Sequence, residues 1–274
     1  MSDGLAGPAL YDDPLFHARY RDLRADGAGL NEDLEQPALA ALLPDVRAAC
    51  VLDLGCGDGA LARRLAEAGA REVVAVDASA RMLAAADPHP LVHYQRADIE
   101  ALHRPAASAD LVVSSLALHY VRDYAGLIRR IAGWLRPGGR LVFSLEHPVC
   151  TAASPMTGWL AVDGAWVWPV DHYGEETART QDWLGRTVVK YHRRLSTLTG
   201  EILAAGLVLT GLDEPCPDAA AVASKPALAQ HRRRPPLLIL AARKPGQPEG
   251  PVPGCGAGPS GDGSGITRPS APWW

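Results

Sequence analysis

Hydrophobic and polar positions along the chain fall into two alternating rhythms. Short apolar runs read as buried strands: Val51 to Leu54, Glu72 to Val76 ending at Asp77, Leu91 to Arg96, Asp110 to Ser115, Arg140 to Leu145, Leu207 to Leu212 and Pro236 to Ala242. Between them apolar residues recur three and four apart. Leu61 and Leu65 mark a helix from Ala60 to Ala68 that Gly69 closes, and Ser79 is placed to cap a helix running to Ala86. Leu127, Ile128, Ile131 and Leu135 share a face of a helix from Tyr124 to Leu135. Leu195, Leu198, Ile202 and Leu203 do the same from Leu195 to Ala205, although Gly200 weakens that helix. Strand and helix in alternation predict an α/β, Rossmann-like, doubly wound and mostly parallel sheet.

Flanking segments follow other patterns. Leu15, Phe16, Arg19, Tyr20 and Leu23 have helical spacing between Tyr11 and Ala25, and a short helix from Pro37 to Leu43 stops at Pro44, so residues 1–44 read as an N-terminal helical arm. Residues 45–148 form the first part of the core. Residues 149–190 hold Trp159, Trp166, Trp168, Tyr173 and Trp183 and read as an inserted aromatic-rich cap; the alternative is a satellite core beneath a β-hairpin. Residues 191–244 return to the core, and the Gly- and Pro-rich residues 245–274 are expected to be disordered.

Composition narrows the class. Hydrophobic residues at 47% and charged ones at 21% are enough for a sizeable core, and a net charge of -4 argues against a nucleic-acid partner. The one dense basic cluster, His231-Arg-Arg-Arg234, reads as a solvated helix end. Five cysteines, at 50, 56, 150, 216 and 255, show no spacing typical of zinc or of a disulfide framework. Their odd number, with no signal peptide, points to a reducing cytoplasm. No apolar run approaches the roughly 20 residues needed to span a bilayer, so no membrane association is expected.

The chemistry gathers around Val51-Leu-Asp-Leu-Gly-Cys-Gly-Asp-Gly59. Its glycines turn the first strand tightly into the following helix, and in an open parallel sheet ligands lie beyond the carboxyl ends of the strands. Gly55-x-Gly57-x-x-Ala60 also fits a loose dinucleotide fingerprint. However, Asp53 places a carboxylate where an ammonium could bind, and a pyrophosphate favours the opposite charge. Asp77 at the second strand end suits two ribose hydroxyls, and Asp98 beside Ile99 suits an exocyclic amine next to an apolar contact. Together they describe an adenosine carrying an amino acid.

At these residues, and at Asn31-Glu-Asp-Leu-Glu-Gln-Pro37, Ser114-Ser-Leu-Ala-Leu-His-Tyr120, Arg136-Pro-Gly-Gly139 and Glu146-His-Pro148, the chain resembles the class I S-adenosylmethionine-dependent methyltransferases, most of all their small-molecule, methyltransferase type 11-like branch. The resemblance runs from about residue 31 to 244. It implies a seven-stranded sheet whose last strand is antiparallel, S-adenosyl-L-methionine as cofactor and methyl transfer as the activity. It puts Gly55, Gly57 and Gly59 under the cofactor's methionine moiety, Asp77 at the ribose and Asp98 at the adenine amino group. Cys56, Ala78, Ile99, Ser115 and Leu116 on the same strand ends complete the expected contacts, with Cys56 a small filler rather than a nucleophile. Met82 either lies against the adenine or belongs to the core. Arms like the N-terminal one close over the cofactor in related enzymes, which makes Tyr20 and Arg24 candidates for its carboxylate end; the alternative is an amphipathic helix with an exposed Arg.

The acceptor side is less defined. The fourth strand ends in Ser114-Ser-Leu-Ala117 instead of the Asn/Asp-Pro-Pro-aromatic motif of nucleic-acid and glutamine amino-methyltransferases, which disfavours a planar exocyclic amine. A small-molecule acceptor with an O-, N- or C-nucleophile is expected. His119, His147 and Glu146 are the candidate catalytic groups for removing its proton, and the activated sulfonium calls for no metal. Tyr120, Trp166, Trp168, Tyr173, Trp183 and His192 are candidate pocket walls. Non-methylating chemistry on the same cofactor, as in cyclases, and a non-catalytic binding protein are the alternatives.

Overall fold

The computed structural model describes residues 5–25 and 30–246. Its centre is a seven-stranded sheet. We label its strands β1 (Cys50–Leu54), β2 (Glu72–Asp77), β3 (Val92–Arg96), β4 (Ala109–Ser114), β5 (Leu135–Glu146), β6 (Val208–Asp213) and β7 (Leu237–Arg243). Their order across the sheet is β6-β7-β5-β4-β1-β2-β3, and β7 runs antiparallel to both its neighbours while the rest are parallel. The order reverses between β1 and β4, which opens a crevice at their carboxyl ends.

Strand alternation decides which helix each side chain meets. Leu52, Val112, Phe143, Leu238 and Leu240 face one layer, packing with Leu127, Ile128 and Ile131 of helix Tyr124–Trp134 and with Leu198 and Ile202 of helix Leu195–Ala204. Val51, Leu111, Val113, Val142 and Ile239 face the other, against Leu39 of helix Gln36–Leu42 and Leu61 and Leu65 of helix Ala60–Glu67. Covered on both faces, these strands carry apolar residues at successive positions.

Some boundaries differ from expectation for local reasons. The arm is two helices, Gly7–Asp12 and Pro14–Ala25, because Pro14 opens the second and Asp13 accepts a hydrogen bond from the Phe16 N–H at 2.9 Å. Arg136-Pro-Gly-Gly139 lies within β5 as a bulge: Ala109 pairs with Leu135, and Leu111 already pairs with Arg140. Ser79 caps its helix, accepting from the Met82 N–H at 3.1 Å. Beyond β5 two hairpins form, Leu160–Val162 with Ala165–Val167 and Ala178–Trp183 with Arg186–Tyr191. Asp163-Gly164 and Leu184-Gly185 turn them with positive φ throughout, the twist that two-residue hairpin turns require. Strand Arg186–Tyr191 also pairs in parallel with Leu5–Ala6, which binds the arm to the second hairpin. The expected disorder of residues 245–274 falls almost wholly outside the described residues. Among the described residues no helix is long and apolar enough to cross a membrane.

Candidate active site

The glycine turn is laced to the end of β2: the Gly55 and Cys56 N–H groups donate to the Val76 carbonyl at 2.8 and 3.0 Å. Gly55, Gly57 and Gly59 all have positive φ. A Cβ on Gly55 would lie 2.3 Å from the Ala117 Cβ, and one on Gly57 3.0 Å from Met82 Cε, so Met82, itself buried, packs against the turn. Burial pushes the Cys56 thiol far up, leaving it a neutral filler.

Asp53 lies beneath this turn, 1% exposed, and neither of its carboxylate oxygens has a hydrogen-bond partner. Burial, with the charges of Asp77 and Glu35 nearby, pushes its carboxyl from 3.8 up to about 8. Asp77 accepts from the Gly57 N–H and the Ser79 N–H, each at 2.8 Å; burial raises its pKa and those two donors oppose the rise. Asp98 accepts from the Glu100 N–H at 2.9 Å, Ile99 packs on the core edge, and the Ala78 carbonyl accepts from Arg96 at 3.2 Å. An orphaned buried carboxylate under a glycine cradle, with two more acidic side chains on the adjoining strand ends, fits a ligand bearing an ammonium and a ribose.

Ser115 and Leu116 follow the end of β4, and Leu116 adopts a left-handed φ of 53°. The Ser115 hydroxyl donates to Glu35 at 2.9 Å. Glu35, fully buried, is a partner of this strand end to which the sequence reading gave no role.

The arm roofs this end of the sheet. Asp12 accepts from the Ser79 hydroxyl at 2.6 Å and the Arg81 N–H at 3.0 Å, right beside Asp77. Tyr20 sits in an aromatic cluster with Tyr11, Phe16 and Trp183, ring centroids 5.3 to 6.3 Å apart, and burial raises its pKa. Arg24 pairs with Glu32 at 3.0 Å. Tyr120 reaches Tyr11, their hydroxyls 3.4 Å apart.

A second set of polar groups gathers at the carboxyl ends of β4 and β5. Glu146 pairs with the buried Lys190 ammonium at 2.5 Å, and Lys190 also donates to Gln181 at 2.9 Å and lies 5.5 Å from the Trp183 ring centroid. Burial opposes the Glu146 charge, yet Lys190 and His119 hold its carboxyl below the ordinary value. His119 is buried with Nδ1 unpartnered, and burial pushes its imidazole down to about 4 against the pull of Glu146. The two side chains line one small cavity with Thr151, Tyr191 and Arg193.

The remaining residues singled out in the sequence lie elsewhere. His147 caps helix Pro148–Thr151: its Nδ1 accepts from the Val149 N–H at 3.1 Å and its Nε2 meets Glu214 at 2.6 Å. His192 is bonded to Thr151 at 2.8 Å and to the Tyr173 carbonyl at 3.0 Å, while the Tyr173 hydroxyl accepts from the Leu195 N–H at 3.2 Å. Trp168 donates to the Val149 carbonyl at 2.8 Å and stacks under Arg234, whose guanidinium lies 3.7 Å from the ring centroid. Trp166 is 61% exposed. Of the expected aromatic walls, only Tyr120 and Trp183 join the arm; Trp166, Trp168 and Tyr173 do not gather with them.

A family model described as Methyltransferase domain matches residues 52–143. The structure resembles a crystal structure of an S-adenosylmethionine dependent methyltransferase from Mesorhizobium loti, with 41% identity, a TM-score of 0.74, and coverage of 79% of this chain and all of that one. An uncharacterized protein of Haemophilus influenzae is 30% identical over 253 residues, 86% of this chain and 97% of that protein. The malonyl-[acyl-carrier protein] O-methyltransferase of Enterobacter lignolyticus is 44% identical over 108 residues, which span 39% of this chain and 43% of that enzyme.

Proposed function

This chain belongs to the class I S-adenosylmethionine-dependent methyltransferases, and from that membership we propose that it methylates a small-molecule acceptor at an oxygen, nitrogen or carbon nucleophile. When bound, the cofactor supplies a methyl group on an electrophilic sulfonium. Asp53 faces the cofactor's ammonium, Asp77 the ribose hydroxyls and Asp98 the adenine amine, with Gly55, Cys56, Gly57, Gly59, Ala78, Met82, Ile99, Ser115 and Leu116 forming the cradle. Tyr20 and Arg24 of the arm close over the methionine end. No strong metal or acid is needed, and alignment of the nucleophile does most of the work, worth about 7 to 11 kcal/mol in well-oriented systems.

The acceptor lies beyond the ends of β4 and β5, walled by Tyr120, Trp183, Glu146 and Lys190. His119 is neutral near pH 7 because burial holds it down at about 4, which leaves it a weak base that the neighbouring Glu146 charge strengthens. Its unpartnered Nδ1 is the position to take a proton from an O–H or N–H acceptor. The Glu146 carboxylate stabilises the imidazolium that results. His147 and His192 have both ring nitrogens engaged and hold the walls in place.

The observation that supports a small acceptor most directly is the enclosure of this end of the sheet. The arm and the hairpin meet over it through Phe16 and Trp183, whose ring centroids are 5.3 Å apart, and a roofed, aromatic-edged crevice suits a small organic molecule. The Enterobacter relative is named for methylating an oxygen of a malonyl group, which agrees with an oxygen nucleophile here. The test is incubation with methyl-labelled cofactor and a panel of phenols, amines and carboxylic acids. Label should appear in a small product in a manner that His119→Gln abolishes. Cofactor consumption without label transfer, or labelling of nucleic acid alone, would overturn the reading.

A further inference from the structure

Glu35 is fully buried, yet it belongs to no apolar core cluster. It ends a π-helical turn, Asn31–Glu35, a distortion that often marks a functional position. Both its oxygens are saturated. Oε1 accepts from the Ser144 hydroxyl at 2.6 Å and the Ser115 hydroxyl at 2.9 Å; Oε2 accepts from the Asn31 amide at 3.1 Å and the Gln36 amide at 2.5 Å. Ser144, a residue of β5, in turn accepts from the Leu116 N–H at 3.0 Å. One carboxylate therefore ties the segment before β1 to the ends of β4 and β5.

The bond that matters most in this set is the one to Leu116. A leucine at a φ of 53° is in the left-handed region, which side chains other than glycine's disfavour by on the order of 1 kcal/mol. Such a conformation persists only where surroundings over-determine it, and at functional sites that is a recurrent use of strain. Here Ser144 satisfies the Leu116 N–H, and Glu35 fixes the Ser144 hydroxyl so that its lone pair points at that N–H. The neighbouring Ser114 hydroxyl donates to the Leu54 carbonyl at 2.7 Å, which ties the same turn to the end of β1 next to Asp53.

We propose that Glu35 is a positioning residue for the cofactor: through Ser144 and Ser115 it holds the left-handed turn at Leu116 that forms the β4 wall of the cofactor site. The assignment of Ser115 and Leu116 to that wall rests on the site reading given above. Glu35 also has an electrostatic effect. Its charge, with that of Asp77, opposes ionisation of Asp53, while Arg64 favours it, and Arg24 is the cation that steadies Glu35 itself. Glu35 thus adds, after burial and Asp77, to what raises the pH at which Asp53 becomes an anion.

The experiment is calorimetric titration of the full chain with S-adenosylhomocysteine, for the wild type, Glu35→Ala, Glu35→Gln and Ser144→Ala, with a thermal melt of each and the titration repeated from pH 6 to 9. Ser144→Ala, which leaves Glu35 in place but strands the Leu116 N–H, is expected to weaken binding about tenfold while the chain still folds, with a melting temperature lower by about 3 to 6 °C. Glu35→Ala should weaken it further, and Glu35→Gln should recover part of the loss. The midpoint of the pH dependence should move to lower pH in Glu35→Gln, a change that loss of packing alone would not produce. If wild type binds while folded Ser144→Ala and Glu35→Gln bind within twofold of it with an unmoved midpoint, the positioning role is wrong and the site reading stands. If wild type does not bind, both fall. Should Glu35→Ala not fold, Ser144→Ala and Glu35→Gln carry the test.

Discussion

Replacing Asp53 by Asn should make the empty protein more stable and the cofactor-binding protein useless. The carboxyl is fully enclosed, unpartnered and pushed up to about 8, so the folded chain holds its proton far more tightly than the unfolded chain, where the ordinary value is 3.8. The sign follows from linkage: stability from this group is complete in acid and is lost as pH rises from 3.8 toward about 8. At pH 7 that loss is on the order of 4 kcal/mol, at about 1.4 kcal/mol per unit of pH. An amide of the same shape does not titrate, so the loss disappears, less whatever an imperfectly bonded amide costs. For a chain of this size a net gain of 1 to 2 kcal/mol raises the melting temperature by on the order of 5 °C. Binding moves the other way. The ammonium of S-adenosylhomocysteine loses a buried counter-charge, and affinity should fall by on the order of 10- to 100-fold, as expected for a charge-assisted hydrogen bond. Thermal melts from pH 5 to 9 with calorimetric titration at pH 8 measure both. A variant that melts below wild type at pH 8 and binds as well would refute the reasoning, because neither the strain on Asp53 nor its use would then exist.

Gly55→Ala forces a φ of 76° on alanine and sets its Cβ 2.3 Å from the Ala117 Cβ; the melt should show a loss of on the order of 2 kcal/mol or more, and calorimetry a loss of S-adenosylhomocysteine binding. Lys190→Met strips Glu146 of its partner; urea denaturation at pH 7 should show about 2 to 4 kcal/mol lost, most of it recovered by Glu146→Leu in the same chain. His119, held at about 4 by burial, makes the fold lose stability as pH falls from 6.5 toward that value, by on the order of 3 kcal/mol. His119→Gln should flatten that part of the urea-derived stability profile, and a wild-type activity profile with an inflection at 6.5 assigned to His119 would contradict its buried state.

Much of this molecule could be read from its local patterns, and the exceptions share one cause. Strands such as Val51 to Leu54 were legible because apolar runs bounded by glycine have few other uses. The fold class and the cofactor followed from such runs and from acidic residues at their ends, and both hold. The burial of Glu35 was not legible: its partners Ser115 and Ser144 lie 80 and 109 residues away, so nothing near it in sequence reports it. Lys190 received no role from the sequence, because its partners Glu146 and Gln181 are brought to it by the hairpin register. His147 looked available until Glu214, 67 residues on, took its Nε2. The tryptophans misled by composition. Alternation along Ala178–Trp183 sends Trp183 toward the arm, whereas both strands of the first hairpin are exposed throughout, Trp166 included. Side-chain period is local, whereas the direction a hairpin points is decided by what it docks on.

The parallel pairing of Leu5–Ala6 with Val188 and Val189, together with the contact of Phe16 with Trp183, fuses two covers far apart in sequence into a single body. One of them is bonded to Ser79 beside Asp77, and the other to Glu146 at the end of β5. Neither can lift alone without breaking that shared seam. Any opening of this end of the sheet must therefore move the arm and the second hairpin together.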